Sequence, residues 1–321
     1  MRVNVLEFTT LGKTNEKISR IGLGAWQFSD AWGVTEYNIA KQVVSSSIEL
    51  GINLIDTAMV YGRGMSESFL GKALRELNIE RSSVFIVTKI PGEFLSYDDV
   101  FKAVDRSLER LQTDYIDALL AHWPPVWHNH PTCEYMKAFE RLVELGKIRY
   151  LGLSDFPPEL AEAARYCLSK NDLQIMEIRY NLVERQAEKE IIPYVESSEM
   201  TMLAWSPLAK AAILGKYSIE EINNFRDVRR NDAVFYPENY KQILKLADVI
   251  KEIAKKYDKT PSQVALNWLM YYSKNIVPIP GAKSKEQAIE NAGSVGWKLS
   301  YSDWRRIDEV SKSIKFTYVN F

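Results

Sequence analysis

Eight short apolar runs recur along the chain, each followed by a stretch of helical periodicity, and this alternation constrains the fold more than any other feature. The runs span 21–26, 52–58, 84–90, 115–122, 149–154, 174–180, 201–205 and 276–280. They are apolar at successive positions rather than alternate ones, as strands buried on both faces of a parallel sheet must be. Between them, 36–50, 98–111 and 132–145 carry apolar residues at three and four spacing. Ser66, followed by Glu67 and Ser68, reads as a helix cap, and Gly51 and Gly146 read as helix stops. Eight such units at a spacing of about 30 residues predict a closed (β/α)8 TIM barrel. An open doubly wound sheet is the alternative, but its G-x-G-x-x-G loop is missing: Gly22-Leu23-Gly24 and Gly62-Arg63-Gly64 both fail at the third glycine.

No low-complexity linker interrupts residues 1–321, so one barrel domain is expected. The long interval is 206–275, after the seventh strand, with about three extra helical segments including an amphipathic stretch at 238–257. An insertion at that place lies at the catalytic end of a barrel.

Composition excludes several function classes. Lys and Arg total 41 against 42 Asp and Glu, a net charge of −1, which offers no footprint for nucleic acid or an anionic membrane. No apolar run reaches membrane-spanning length, and the N-terminal MRVNVLEFTTLG has no apolar signal core. Cys133 and Cys167 are too few for a disulfide framework or a thiolate zinc site and fit a reducing, cytoplasmic compartment. Three histidines leave little room for a polynuclear metal enzyme, and no metal is expected.

The C-terminal strand ends carry the chemistry of such a barrel. The second strand ends at Asp56, the third at Lys89 and the fourth at His122, while Tyr61 follows Asp56 in the glycine-containing loop MVYGRG. Neighbouring strands lie about 4.8 Å apart, so these side chains converge on one edge of the mouth. A phenol is a weak acid at neutral pH, and an adjacent ammonium lowers its pKa. Lys89 supplies that ammonium, Asp56 holds Lys89 charged, and His122 polarises a carbonyl oxygen by a hydrogen bond.

The segment Gly51-Ile52-Asn53-Leu54-Ile55-Asp56-Thr57-Ala58-Met59-Val60-Tyr61-Gly62 resembles the signature of the aldo-keto reductase superfamily. Lys89 at the end of VFIVTK and His122 in LLAHWP match the family's two other catalytic positions, and the likeness runs from about Leu11 to the end. It implies NAD(P)H-dependent reduction of aldehydes and ketones with Tyr61 as acid in an Asp56–Tyr61–Lys89–His122 tetrad. Gly24-Ala25-Trp26 is similar to the family's segment at the nicotinamide, and Trp205 to the aromatic that stacks on its ring. Ser206, Pro207, Leu208, Lys210 and Lys216 match the loop that covers the pyrophosphate. Gly281, Lys283, Gln287, Glu290 and Asn291 resemble the adenosine end, where a cation at Lys283 suits a 2′-phosphate and favours NADPH over NADH.

Two positions depart from the family pattern. Ser154-Asp155 stands where it reads Ser-Asn, and Glu177 where it has Gln. An ionised carboxylate only accepts hydrogen bonds, whereas an amide also donates. Two ionised acids favour the oxidised, cationic nicotinamide, unless one of them stays protonated. Trp26, Trp32, Trp123 and Trp127, with Phe28, are expected around an apolar or aromatic carbonyl substrate, and the short tail KFTYVNF makes a deep enclosing loop unexpected.

The chain is also similar to the superfamily's potassium-channel beta subunits, which leaves a slow-turnover nicotinamide-sensing regulator as the alternative. His128-Asn129-His130 leaves a metal-dependent barrel hydrolase as a remote one. The expected state is a monomer or small homo-oligomer acting on a small-molecule carbonyl.

Overall fold

All eight apolar runs become parallel strands, five of them shorter than the runs that announce them. The computed structural model describes residues 7–32 and 35–317. In chain order the barrel strands are β3 (Leu23–Gly24), β4 (Leu54–Asp56), β5 (Phe85–Ile90), β6 (Ile116–Ala121), β7 (Ile148–Ser154), β8 (Leu173–Arg179), β9 (Thr201–Trp205) and β10 (Ile276–Pro278). Each pairs with the next in parallel. Gly24 meets Gly281 across the seam, and the Gly24 amide donates to the Pro280 carbonyl at 3.1 Å, closing the barrel. Only glycine fits at this seam, because a Cβ on Gly24 would stand 2.6 Å from the Ile279 carbonyl oxygen.

The helices follow the predicted periodicity. They include α1 (Tyr37–Glu49), α2 (Met65–Glu76), α3 (Tyr97–Leu111), α4 (Thr132–Glu144), α5 (Pro158–Tyr166) and α6 (Ile191–Ser197). Gly51 and Gly146 follow α1 and α4 with φ of 91° and 71°, as helix stops do. Ser66 is not a cap: α2 starts one residue earlier, behind Gly64, and Ser66 is buried in its first turn. There its hydroxyl donates to the Ala25 carbonyl and meets the Thr57 hydroxyl, both at 2.8 Å, so packing against strand ends sets the helix start.

The interval 206–275 holds α7 (Ile219–Asn223), α8 (Pro237–Lys256) and short 3-10 turns ahead of α9 (Pro261–Tyr272), which precedes β10. Then α10 (Lys285–Ala292) and α11 (Tyr301–Lys312) complete the helices.

One element has no counterpart among the eight runs. β1 (Phe8–Thr10) and β2 (Lys17–Ser19) form an antiparallel hairpin. Its Leu11 and Ile18 join Leu54, Phe85, Val87, Ala118 and Leu120 in one buried cluster, separate from the larger core under the helices. The hairpin therefore closes the floor of the barrel. Three-residue strands are too short to show a period. The expectations for the first six residues and for the tail beyond Thr317 lie outside the described residues.

The cysteines also differ from expectation. Cys133, in the first turn of α4, and Cys167, just after α5, form a disulfide with Cα atoms 4.9 Å apart. Even two cysteines suffice when packing sets them opposite each other. The bridge spans 34 residues of chain, so its loss frees a sizeable loop in the unfolded state. Cys167→Ser is expected to lower unfolding stability by about 2–4 kcal/mol, read by urea denaturation against the oxidised wild type.

Candidate active site

Successive residues of a strand point to opposite faces, so every second residue enters the barrel. On β5 the inward series is Phe85, Val87 and Lys89; on β4 it is Leu54 and Asp56; on β8 it is Ile175 and Glu177. The lower members are apolar and fill the barrel. The uppermost members are Asp56, Lys89 and Glu177, and they meet.

Lys89 is 0% exposed. Its Nζ donates to Asp56 Oδ2 at 2.5 Å and to the Thr57 carbonyl at 2.9 Å, and Glu177 Oε2 lies 3.2 Å away. Burial alone would strip the ammonium of its proton, but Asp56, Glu177 and Tyr61 together raise its pKa, so it stays charged. Burial raises Asp56 against the pull of Lys89. Burial, followed by the charge of Asp56, raises Glu177 well above the usual carboxylate range. This cluster holds more negative charge than positive, so one carboxyl keeps a proton.

Tyr61 opens the loop after β4, and its ring lies 5.3 Å from Lys89 Nζ. The pKa lowering expected beside an ammonium does not occur. The pKa rises instead, because burial outweighs Lys89 and because Asp56 and Glu177 add negative charge nearby. The phenol stays protonated and can give a proton. His122 sits edge-on to Tyr61 at 5.7 Å between centroids. Burial, then Lys89, lowers its pKa well below the free value, so the ring is neutral and offers one N–H. Its Nδ1 is buried without a partner.

A groove of about 300 Å³ runs from Asp56 and Tyr61 to the N-terminal end of α10. Gly24, Trp26, Trp32, Trp205, Ser206, Pro207, Leu208, Lys210 and Lys216 line it, followed by Gly281, Lys283, Gln287, Glu290 and Asn291. Trp26 stacks on Tyr61 at 6.0 Å and meets Trp32 edge-on at 5.4 Å, forming an aromatic wall. Lys210 is held at 2.5 Å by Asp232, which also takes Arg179 at 2.8 Å. Ser206, Ala209, Lys210 and Ala211 all have positive φ. The run is held by its own bonds, Ala209 N–H to the Ser206 carbonyl at 2.9 Å and Ala211 N–H to the Leu208 carbonyl at 2.8 Å, and backbone strain of this kind clusters at ligand clamps.

Several expected residues stand elsewhere. Ala25, Ser154, Asp155 and Glu177 do not line the groove. Ala25 is core. Glu177 faces Lys89, because period two on β8 aims it inward. Asp155, with φ of 55°, turns to accept the Trp205 indole N–H at 3.0 Å. The Ser154 hydroxyl is buried and unpaired.

Trp127 is 91% exposed and Phe28 fully buried, so neither lines the mouth. The loop carrying Trp127 bonds to itself, His128 N to Pro125 O and His130 N to His128 O, which holds that ring away. Trp123 packs on His122 at 4.4 Å and donates to Glu93.

Sequence reasoning missed Gln27 and Arg229, which line the groove. Arg229 is gripped by Asp227, donates to the Tyr217 hydroxyl at 2.8 Å and rests on Phe225 at 3.9 Å. Nothing in the spacing of the 206–275 interval marks it. Burial, then the charge of Arg229, lowers the pKa of Lys283, so two cations face one space.

The Lys89 cluster makes a stability prediction. Lys89→Met removes the only cation that, among the described residues, pairs with the buried carboxyls of Asp56 and Glu177. It is expected to cost about 3–5 kcal/mol in urea unfolding near neutral pH, with the deficit shrinking as acid protonates both groups.

Comparison with known proteins places this geometry. A model of the Aldo/keto reductase family matches residues 20–312. The aldo-keto reductase YhdN of Bacillus subtilis is 31% identical over 95% of this chain and 93% of its own length. An NADH-specific methylglyoxal reductase of Escherichia coli is 28% identical over 95% of this chain and 98% of its own. Among solved structures, a glycerol dehydrogenase from Gluconobacter oxydans superposes with a TM-score of 0.85 at 27% identity, covering 100% of this chain and 99% of its own. An aldo-keto reductase from Klebsiella pneumoniae in complex with NADPH gives 0.78 at 26% identity, covering 96% and 95%. The family match over most of the chain, together with the barrel and the polar layer at its mouth, makes this protein an oxidoreductase of the aldo/keto reductase family.

Proposed function

We propose that the protein is an NADPH-dependent reductase of small aldehydes and ketones with an apolar or aromatic substituent, and that Tyr61 is its general acid. The observation that carries this reading is the position of Tyr61. Its protonated phenol stands against the buried Lys89 cluster at one end of a groove whose other end holds Lys216, Arg229 and Lys283.

The groove fits a nicotinamide dinucleotide. The Ser206 hydroxyl, buried in the lining of the groove, lacks a partner, and Lys216 lines the same groove as a cation for a diphosphate. Trp205 supplies a flat face for the nicotinamide, and Lys283 with Arg229 the charge for a 2′-phosphate. When bound, the reduced cofactor supplies two electrons and a hydrogen nucleus to the carbonyl carbon. The remaining work belongs to the chain. His122, neutral, donates a hydrogen bond to the carbonyl oxygen and orients it. Tyr61 delivers the proton to that oxygen as negative charge develops there. Lys89, fixed by Asp56 and the Thr57 carbonyl, stabilises the phenolate that remains. Trp26 and Trp32 exclude water and receive the substrate's apolar part.

Two measurements test this. Tyr61→Phe is expected to bind NADPH like wild type by fluorescence titration and to lose about 10²–10⁴ in turnover over a panel of carbonyls. Retained turnover in the variant, or a wild type that binds NADPH and reduces nothing, refutes the reading. Lys283→Ala is expected to weaken NADPH binding by about tenfold and leave NADH binding nearly unchanged. Equal losses for both cofactors would refute the assigned 2′-phosphate contact.

A further inference from the structure

Glu177 sits in the top inward layer of the barrel, 2% exposed, and proton delivery from Tyr61 to a carbonyl gives it no task of its own. A role for it in catalysis rests on the reductase reading. An ammonium has three N–H groups. On Lys89, Asp56 Oδ2 at 2.5 Å and the Thr57 carbonyl at 2.9 Å occupy two. The third is left between Tyr61, whose ring centre lies 5.3 Å from Nζ, and Glu177 Oε2 at 3.2 Å. Glu177 Oε2 takes no hydrogen bond in this arrangement, so the third N–H is not committed to it. The titratable groups facing Glu177 are Asp56 from β4, Tyr61 from the loop after it, Lys89 from β5 and Asp155 from the end of β7. Lys89 is the only cation among them. Asp56 Oδ2 and Glu177 Oε2 lie 2.5 and 3.2 Å from the same Lys89 nitrogen, and two buried carboxyls placed beside one ammonium retain a proton between them.

We propose that Glu177 is a positioning residue that carries a proton while Tyr61 acts as the acid, and that by losing it Glu177 draws the third Lys89 N–H away from Tyr61 and sets the alkaline limit of carbonyl reduction. One proton moves in this switch. Glu177 goes from carboxylic acid to carboxylate, the proton leaves past Asp56 to the groove, Lys89 remains an ammonium, and nothing is oxidised or reduced. With Glu177 neutral, the cluster of Asp56, Lys89 and Glu177 carries no net charge. With Glu177 ionised it carries one negative charge beside the phenol, which grips its proton more tightly and becomes a weaker acid. Rising pH therefore slows reduction before Tyr61 itself ionises.

Glu177→Gln imitates the protonated acid, being neutral and nearly isosteric. Above the midpoint of the switch, wild-type kcat/KM is expected to fall about tenfold per pH unit, while Glu177→Gln stays within about twofold over the same range. Glu177→Asp retains an acid and retains the decline. A second readout needs no cofactor. The infrared C=O stretch of a protonated carboxyl is expected in the wild-type protein near neutral pH and absent from Glu177→Gln. In wild type alone, the midpoint at which that band disappears must coincide with the alkaline midpoint of kcat/KM, which keeps the test open if a variant does not fold. An alkaline decline unchanged in Glu177→Gln, a band that survives the substitution, or two midpoints that disagree overturns the proposal. If wild type reduces no carbonyl, the reductase reading fails separately, and a band lost in Glu177→Gln still locates the proton at Glu177.

Discussion

A fully buried ammonium is the constraint around which this molecule is arranged. Lys89 has no exposed surface, and its ammonium is gathered by oxygens from different parts of the barrel: Asp56 and Thr57 at the end of β4 accept its hydrogen bonds, and Glu177 on β8 lies 3.2 Å away. Those strands come within reach of one nitrogen only when the sheet is rolled into a closed cylinder. Such a cluster is weak evidence for added stability, since desolvation offsets much of the attraction. Its larger effect is on register. A shift of β5 by one residue would turn Lys89 outward and Thr88 inward, leaving two acids without a cation and the outer face without its hydroxyl.

The outer face of the same strand explains why Tyr61 is where it is. Thr88 donates to Glu67 Oε1 at 2.7 Å, and Glu67 Oε2 takes the Arg110 guanidinium at 2.6 Å. Glu67 is fully buried, so this bond pair pins α2 to β5 and α3. Ser66 ties the same turn to Ala25 and Thr57. The loop from Met59 to Gly64 hangs between a fixed strand end and a fixed helix start. Two consecutive left-handed residues, Gly62 at φ 57° and Arg63 at φ 56°, complete its return. The phenol is thus placed by contacts on the far side of the strand that carries Lys89.

Burial on both faces is also why so much of the barrel was legible in the sequence. Its strands are mostly apolar on both faces rather than on alternate residues, so all eight could be read, and the polar residues ending them stood out against that background. Asp56, Lys89 and His122 were visible for this reason, and Tyr61 through the family signature. The hairpin of Phe8–Thr10 and Lys17–Ser19 was not, because three residues cannot show a period and their partners are strand bottoms far away in sequence. Glu177 was seen, but as a cofactor contact. The alternation that places Ile175 in the barrel also places Glu177 there, a signal present in the sequence and outweighed by analogy. The direction of the Tyr61 shift depended on magnitudes that only burial supplies. Arg229, and the pairing of Cys133 with Cys167, depend on how long connections fold back, which local pattern does not encode.

Charge is segregated along the groove. The whole chain is nearly neutral, yet charged residues stand at both ends of a groove that also has an aromatic wall. Asp56 lines the end near Tyr61, with Glu177 and Asp155 behind it around the buried lysine; at the far end stand Lys216, Arg229 and Lys283 with one acid, Glu290, and among the described residues only Arg229 of the three cations is tied to a carboxylate, Asp227. A ligand with phosphates at one end and a neutral or cationic ring at the other gains by lying one way round and loses by lying the other. Low dielectric at the acidic end strengthens that preference, and the cations at the open end act through solvent as a long-range guide. A neutral protein can therefore orient a strongly anionic cofactor without an overall field, provided charges of opposite sign are kept at opposite ends of one groove. The same segregation puts the surplus negative charge against the phenol, so one arrangement both favours a single orientation of an anionic ligand in the groove and holds the Tyr61 proton.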